Sequence, residues 1–338
     1  MKRYIFALGA CALLTLPSCV NEWPRPEDRM YTVTLLLHSN TDWLPNEDMT
    51  YTREDNLEIS YQIQIYNAGK TTDPVKEMTL YSADLNRGDL SVNVDLNPGS
   101  YDVYVWSDIC DATTGKSLFY DSSNFADITY LTPYRGDSNN KDAFRGQHNF
   151  TIDASIYKNP TATEVINLER PLARYIFVAT DLDEFIENEQ TRGKMRGLEN
   201  FANTQLPEYT ATLENVLQEY TVKIIYPMYM PSKFDNFTNK PFDSWTGISF
   251  EGDFVILNEK QAQIGLDYVM VNGNESSVQV AMEIYDSDGV RISSTSTINI
   301  PTLRDRTTIV YGRFLTADED AGVSINPDFA GSFDIPYN

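Results

Sequence analysis

The sequence offers few side chains for covalent or metal chemistry. His38 and His148 are its only imidazoles, and Cys11, Cys19 and Cys110 its only thiols, in 338 residues. A structural zinc site takes about four Cys or His ligands, and a Cys/His nucleophile needs both types together, so both routes are largely closed. His38 ends an alternating run, and His148 stands in the polar stretch Arg145-Gly146-Gln147-His148. Both positions read as exposed or hydrogen-bonded structural histidines. With 49 carboxylates, some pair will stand close enough for glycosidase chemistry, but no spacing singles one out. Asp286-Ser287-Asp288-Gly289 carries an Asp-x-Asp-Gly fragment of a calcium loop without the third acid and distal Glu, and reads as a hairpin turn. There is no Walker-type phosphate loop, dinucleotide fingerprint or Gly-x-Ser-x-Gly elbow. No enzyme activity, cofactor or metal is therefore expected. What remains is binding. Trp43, Trp106, Trp245 and the 21 tyrosines could form a sugar-stacking platform, with Trp106 and Trp245 as the candidate stacking residues. The same residue types are also the usual large fillers of sandwich cores.

The first residues supply a different chemistry, that of an address. Lys2 and Arg3 precede an apolar run from Ile5 to Leu16 that is broken only by Gly9 and Thr15. This is too short for a stable membrane span and has the length of a signal-peptide core. It ends in Leu16-Pro17-Ser18-Cys19, which resembles the bacterial lipoprotein cleavage box, with Pro17 an unusual occupant. The resemblance implies removal of residues 1–18 and lipidation of Cys19. Each buried lipid CH₂ contributes about 0.8 kcal/mol, so an acylated Cys19 would tether a soluble body to a membrane. The alternative is an ordinary signal peptide that happens to contain a cysteine. Residues 19–29, acidic and with two prolines, read as an extended tether. They also resemble, loosely, the surface-export signals of Bacteroidetes lipoproteins. With Cys11 removed and Cys19 consumed, Cys110 would be the mature chain's only thiol, so stability must come from burial.

The formal net charge is -23, which disfavours phosphate backbones and anionic lipid surfaces as partners. A hydrophobic fraction of 41% and an aromatic fraction of 12% are enough for real cores.

Hydropathy alternates with period two along most of the chain. Tyr31, Val33, Leu35 and Leu37 form one face of a run. Leu57, Ile59, Tyr61, Ile63 and Ile65 form another. Val92 to Leu96 enters Asn97-Pro98-Gly99-Ser100, and Tyr101, Val103 and Val105 resume beyond it. Val278 to Ile284 and Val290 to Ile292 flank the turn at 286–289 as a hairpin. Further strands are expected near 164–168, 174–179, 220–226, 264–271 and 307–315. One helix is expected after Asp181, with Glu184 completing a capping box and Leu182, Phe185 and Ile186 on its apolar face. The pattern predicts an all-β chain with minor helix, folded as two β-sandwiches. The first spans 30–160 and the second 161–338, with a boundary near Asn159-Pro160 and a polar, partly helical excursion near 181–219.

The assembled pattern resembles the fimbrillin-type lipoproteins of Bacteroidales, the FimA-like pilus subunits and anchors. Four stretches carry the resemblance: the lipobox, Asn97 to Trp106, Leu168 to Ile176 and Thr308 to Leu315. It implies two tandem transthyretin-like sandwiches and an outer-membrane, surface-exposed lipoprotein acting in fimbria or adhesion. It further implies partnership with other subunits by strand donation. In polymerising members a protease cuts after an Arg behind the first strand, and a strand from the next subunit fills the groove left behind. Arg53, in the loop after the first strand, is the candidate processing site by position. A non-polymerising surface lipoprotein that binds a glycan or host ligand is the alternative, and a hydrolase with an unrecognised carboxylate pair is a third reading.

Overall fold

The computed structural model describes residues 29–39, 56–85, 88–154, 161–195 and 207–317. The leader, Cys19, Trp43 and Arg53 lie outside the described residues.

The alternating runs fold as the pleat requires. In β1 (Tyr31–Ser39), Tyr31, Val33, Leu35 and Leu37 are buried while the residues between them face outward. With β2 (Leu57–Asn67), β3 (Lys76–Ser82), β4 (Leu90–Leu96), β5 (Gly99–Asp111), β8 (Ala143–Ile152) and β9 (Thr161–Glu169) it forms one sheet in the order β3-β2-β5-β8-β9-β1-β4. The β8–β9 joint consists of two residue pairs, Arg145↔Glu169 and Gly146↔Leu168. The sheet folds over there, and its two leaves share one core that includes Leu35, Ile63, Val105 and Ile166.

Asn97-Pro98-Gly99-Ser100 does not close a hairpin. β4 pairs with β1, whereas β5 pairs with β2 and β8, so the turn carries the chain from one leaf to the other. The Tyr101 hydroxyl donates to the Asn97 carbonyl at 2.8 Å and pins this corner.

The second half builds a sandwich of two sheets. One has the order β15-β16-β10-β20, from β10 (Leu172–Ala179), β15 (Val255–Asn258), β16 (Gln261–Met270) and β20 (Thr307–Gly312). The other has the order β14-β11-β17-β18, from β11 (Thr221–Tyr226), β14 (Ile248–Gly252), β17 (Glu275–Tyr285) and β18 (Arg291–Ser294), with β19 (Ile298–Leu303) also on β17. The hairpin at 286–289 forms as expected, with Gly289 at φ +74°.

The helix expected after Asp181 is α1 (Leu182–Thr191), and its Leu182, Phe185 and Ile186 are buried. Asp181 itself makes no side-chain cap. Its carboxylate instead accepts the backbone N–H groups of Leu315 and Thr316, at 3.4 and 2.9 Å, so the capping-box expectation gives way to a tie on the chain after β20. A second helix, α2 (Pro207–Leu217), occupies the excursion. Proline at its first position is compatible with a helix start, and Leu213 and Leu217 are buried.

The halves are not separated at Asn159-Pro160. Thr161–Glu169, assigned to the second sandwich by its place after the prolyl break, is β9 and lies parallel to β1 in the first sheet. The passage between sandwiches falls at Arg170-Pro171. A small sheet of β6 (Tyr120–Asp121), β7 (Ile128–Tyr130), β12 (Met230–Asp235) and β13 (Lys240–Trp245) joins strands from both halves, through the pairs Lys233↔Thr129 and Phe234↔Ile128. β5 consequently buries both faces. Val103 and Val105 enter the first core, and Tyr104 and Trp106 enter a core shared with the second half.

Candidate functional site

Trp106 is 0% exposed. Its ring packs against Tyr120 and Phe234, and its Nε1 donates to Asp108 at 3.3 Å. It therefore presents no face to a sugar, and the stacking role expected for it is corrected to core packing. The residue follows the period-two rhythm, but its outward face meets the second half and not solvent. Trp245 is partly buried, with its ring centroid 6.2 Å from those of Tyr130 and Tyr134. The two tryptophans do not form a platform.

The histidines pair at the surface, His38 with Asp89 at 2.8 Å and His148 with Glu164 at 2.9 Å. The Asp286 carboxylate accepts the N–H groups of Asp288 and Val290 and closes its own turn. Its neighbour Asp288 pairs with Lys194. Among the described residues no cluster of three or more His, Cys, Asp or Glu could hold a metal ion. Cys110 is buried, and burial beside Asp108 and Glu58 pushes its thiol up to about 11, so it is a poor nucleophile.

Two features concentrate the structure's capacity for interaction. The first is the slot filled by β1. This strand lies between β4, antiparallel, and β9, parallel, along nearly its whole length. Val33 and Leu35 are 0% exposed and Leu37 is 1% exposed. Burying a side chain of this size contributes roughly 1.5–3 kcal/mol. Without β1, the edges of β4 and β9 would be unpaired and an apolar trough would open between the leaves.

The second feature is not legible in the sequence. Lys141 ends a 3₁₀ turn, Asn139–Lys141, and Asp267 lies in the middle of β16 opposite Tyr175. Their side chains are 1% and 0% exposed, with Nζ 2.6 Å from Oδ1. Nζ stands 4.0 Å from the ring centroid of Tyr134 and 4.5 Å from that of Tyr130. The hydroxyls of Tyr134 and Tyr226 both donate to Asp267 Oδ2 at 2.5 Å, and Tyr175 and Tyr226 share a hydrogen bond of 2.6 Å. The Tyr120 hydroxyl donates to the Lys141 carbonyl at 2.6 Å. Burial holds the Lys141 ammonium below its usual range against the opposing pull of Asp267. Burial, reinforced by Asp267, raises Tyr130, Tyr134, Tyr175 and Tyr226 far above theirs, so all four remain protonated donors. Lys141 sits in the polar run Asn139-Asn140-Lys141-Asp142, which resembles a solvated loop in sequence. Only the fold brings it to a residue 126 positions away.

No helix among the described residues is long and apolar enough to cross a membrane. A family model described as a family of unknown function, DUF6562, matches residues 26–336. No curated protein matches the chain. Among solved structures, a proposed polysaccharide-binding protein of Bacteroides thetaiotaomicron is similar at 10% identity and TM-score 0.45, over 86% of this chain and 93% of that one. A fimbrial assembly protein of Parabacteroides distasonis is similar at 10% identity and TM-score 0.42, over 87% and 93%. The fimbrial anchor protein Mfa2 of Porphyromonas gingivalis is similar at 9% identity and TM-score 0.38, over 79% and 82%.

Proposed function

We propose the following for this chain, which belongs to the DUF6562 family: it is a lipid-tethered surface subunit that assembles with other fimbrial subunits, or adheres, by exchanging a β-strand, and it turns over no substrate. Cys19 would carry the lipid at the outer membrane. A cut at Arg53, in the connection between β1 and β2, would release β1. The exposed trough would then accept an apolar alternating strand from a neighbouring subunit, which restores both rows of backbone hydrogen bonds and refills the side-chain pockets. The observation that carries this reading is the position of β1. It is the strand nearest the N-terminus among the described residues, it is held from both sides, and it contributes every second side chain to the first core. The lipobox-like segment before it and the resemblance of Asn97 to Trp106 to a fimbrillin strand support the same reading.

Two preparations test it. A chain beginning at Glu54 is expected to form SDS-resistant ladders that a synthetic peptide of residues 30–39 suppresses, while a chain beginning at Cys19 stays monomeric. A monomeric Glu54 chain, or ladders indifferent to the peptide, would overturn strand exchange. Separately, Cys19→Ser should move the protein from the membrane fraction to the soluble one. Retention on membranes would remove the lipid tether.

A further inference from the structure

We propose that Lys141 and Asp267 become joined by an intramolecular amide between Nζ and the Asp267 side-chain carboxyl carbon, a covalent tie between the first half of the chain and β16.

Three observations converge on this bond. The first is placement. Nζ lies 2.6 Å from Oδ1, and both side chains are buried. Lys141 is held through its carbonyl by Tyr120, and Asp267 by the paired β16 backbone, with Oδ1 also accepting its neighbour's N–H from Tyr268 at 2.8 Å. Groups fixed at reacting distance behave as an intramolecular pair of very high effective concentration.

The second is the surroundings. Tyrosine rings wall the pair, and water is excluded from both ends. Removing two charges from water carries a large desolvation penalty for each ion, which a single ion pair recovers only in part. Passing one proton from the ammonium to Oδ1 yields a neutral amine and a neutral acid, the reactive forms for amide formation.

The third is the donor set on the other oxygen. The Tyr134 and Tyr226 hydroxyls aim at Oδ2, where negative charge would build as Nζ adds to the carboxyl carbon. The Tyr134 hydroxyl also lies 2.5 Å from Nζ.

The step balances without any redox partner. The Nζ–Cγ bond forms and the Cγ–Oδ1 bond breaks. One Nζ proton passes directly to Oδ1, 2.6 Å away, before attack, and a second follows the same way as the Cγ–Oδ1 bond breaks. Oδ1 leaves as water, and the amide keeps one N–H. The product has no buried charge and closes a covalent loop between positions 126 apart in sequence.

The test needs no variant. The purified, natively folded chain is denatured, digested with trypsin and mapped by tandem mass spectrometry. The expected major product is the peptide of residues 136–145, uncut after Lys141, linked to the peptide of residues 261–291 and lighter than their sum by one water. Separate peptides ending at Lys141 and spanning 261–291 as the major forms would overturn the bond and leave an ordinary ion pair. Lys141→Arg, which keeps the charge but not the primary amine, should abolish the linked peptide and slow the migration of the denatured chain in SDS gels. In a time course from newly made chain that has never folded, taken from denaturant-solubilised inclusion bodies, Tyr226→Phe should slow the linkage at least tenfold. An unchanged rate would overturn the role given to Oδ2. None of these outcomes depends on the strand-exchange reading.

Discussion

Arg170 grips Asp142 with two parallel hydrogen bonds, Nε to Oδ1 at 2.5 Å and Nη2 to Oδ2 at 2.6 Å, at the point where the chain leaves β9 for β10. The guanidinium also lies over the Phe144 ring at 4.7 Å and reaches Asp305 at 3.3 Å. Both side chains of the Arg170–Asp142 pair are nearly inaccessible to solvent, at 9% and 3% exposed. The two-pronged geometry suits Arg and not Lys. Four residues on, Arg174 donates to Thr307 and Asn139 and so links the same passage to β20 and to the turn that carries Lys141. The stretch Leu168 to Ile176 is thus the clasp between the two sandwiches.

Arg170→Met is therefore expected to leave the Asp142 carboxylate buried without its guanidinium, and to destabilise the protein by about 3–5 kcal/mol. Urea unfolding measures this directly. The double variant Arg170→Met/Asp142→Leu removes both charges and should recover at least half of the loss. A single-variant cost under about 1 kcal/mol would mean that the pair is not a clasp.

The strands are legible in the sequence because alternation is a local property. Tyr31 to Leu37 and Val278 to Ile284 each show their buried face within a few residues. The partnerships are not legible, because they depend on contacts far apart in the chain. Nothing local states that β9 runs parallel to β1, or that Ile128 pairs with Phe234. Trp106 shows the same gap. Alternation places it opposite Val105, and only the second half of the chain, arriving through Phe234, turns that outward face into core. Asp181 precedes a helix, as a capping residue does, yet its carboxylate is taken by Thr316. Lys141 and Asp267 lie among polar and strand residues respectively, and their meeting is a tertiary event.

A second tight relationship lies inside the second sandwich. A Cβ built on Gly252 would stand 2.4 Å from the Ile264 carbonyl oxygen and 3.2 Å from the Gly265 Cα. β14 and β16 thus approach each other across a pair of glycines, and the obstacle is backbone, which cannot swing aside. Gly252→Ala should cost about 1–3 kcal/mol or more by overpacking. Gly273, with φ +74° and open space around it, provides the contrast, since alanine there meets only backbone strain of about 1 kcal/mol. Thermal or urea unfolding of the two variants should rank Gly252→Ala as the more damaging. The reverse order would show that the sheets can move apart at little cost.

Asp137 makes stability depend on pH in a defined direction. It sits at φ +50°, donates its own N–H to the Leu266 carbonyl, and accepts the N–H groups of Leu266 on Oδ1 and Asp253 on Oδ2. Burial pushes its carboxyl up to about 6. The two N–H groups oppose this, and the nearby charges of Asp253 and Asp267 add to it. A carboxyl raised in the fold keeps a proton that the unfolded chain gives up at its ordinary acidic value. Its contribution to stability is then complete below about pH 4 and is lost as pH rises through about 6. Each tenfold gain in proton affinity on folding is worth about 1.4 kcal/mol, so, with partial solvent screening, the loss is on the order of 2 kcal/mol. Asp137→Asn removes the titration but keeps one acceptor, so the variant should be less stable overall and flatter between pH 4 and 7. Asp305, also raised to about 6 by burial, is common to both proteins and drops out of the difference. Urea unfolding at pH 4, 5, 6 and 7 gives the two profiles. Wild type should lose more stability than the variant across that range, and parallel profiles would show that Asp137 is ionised in the fold at its ordinary value.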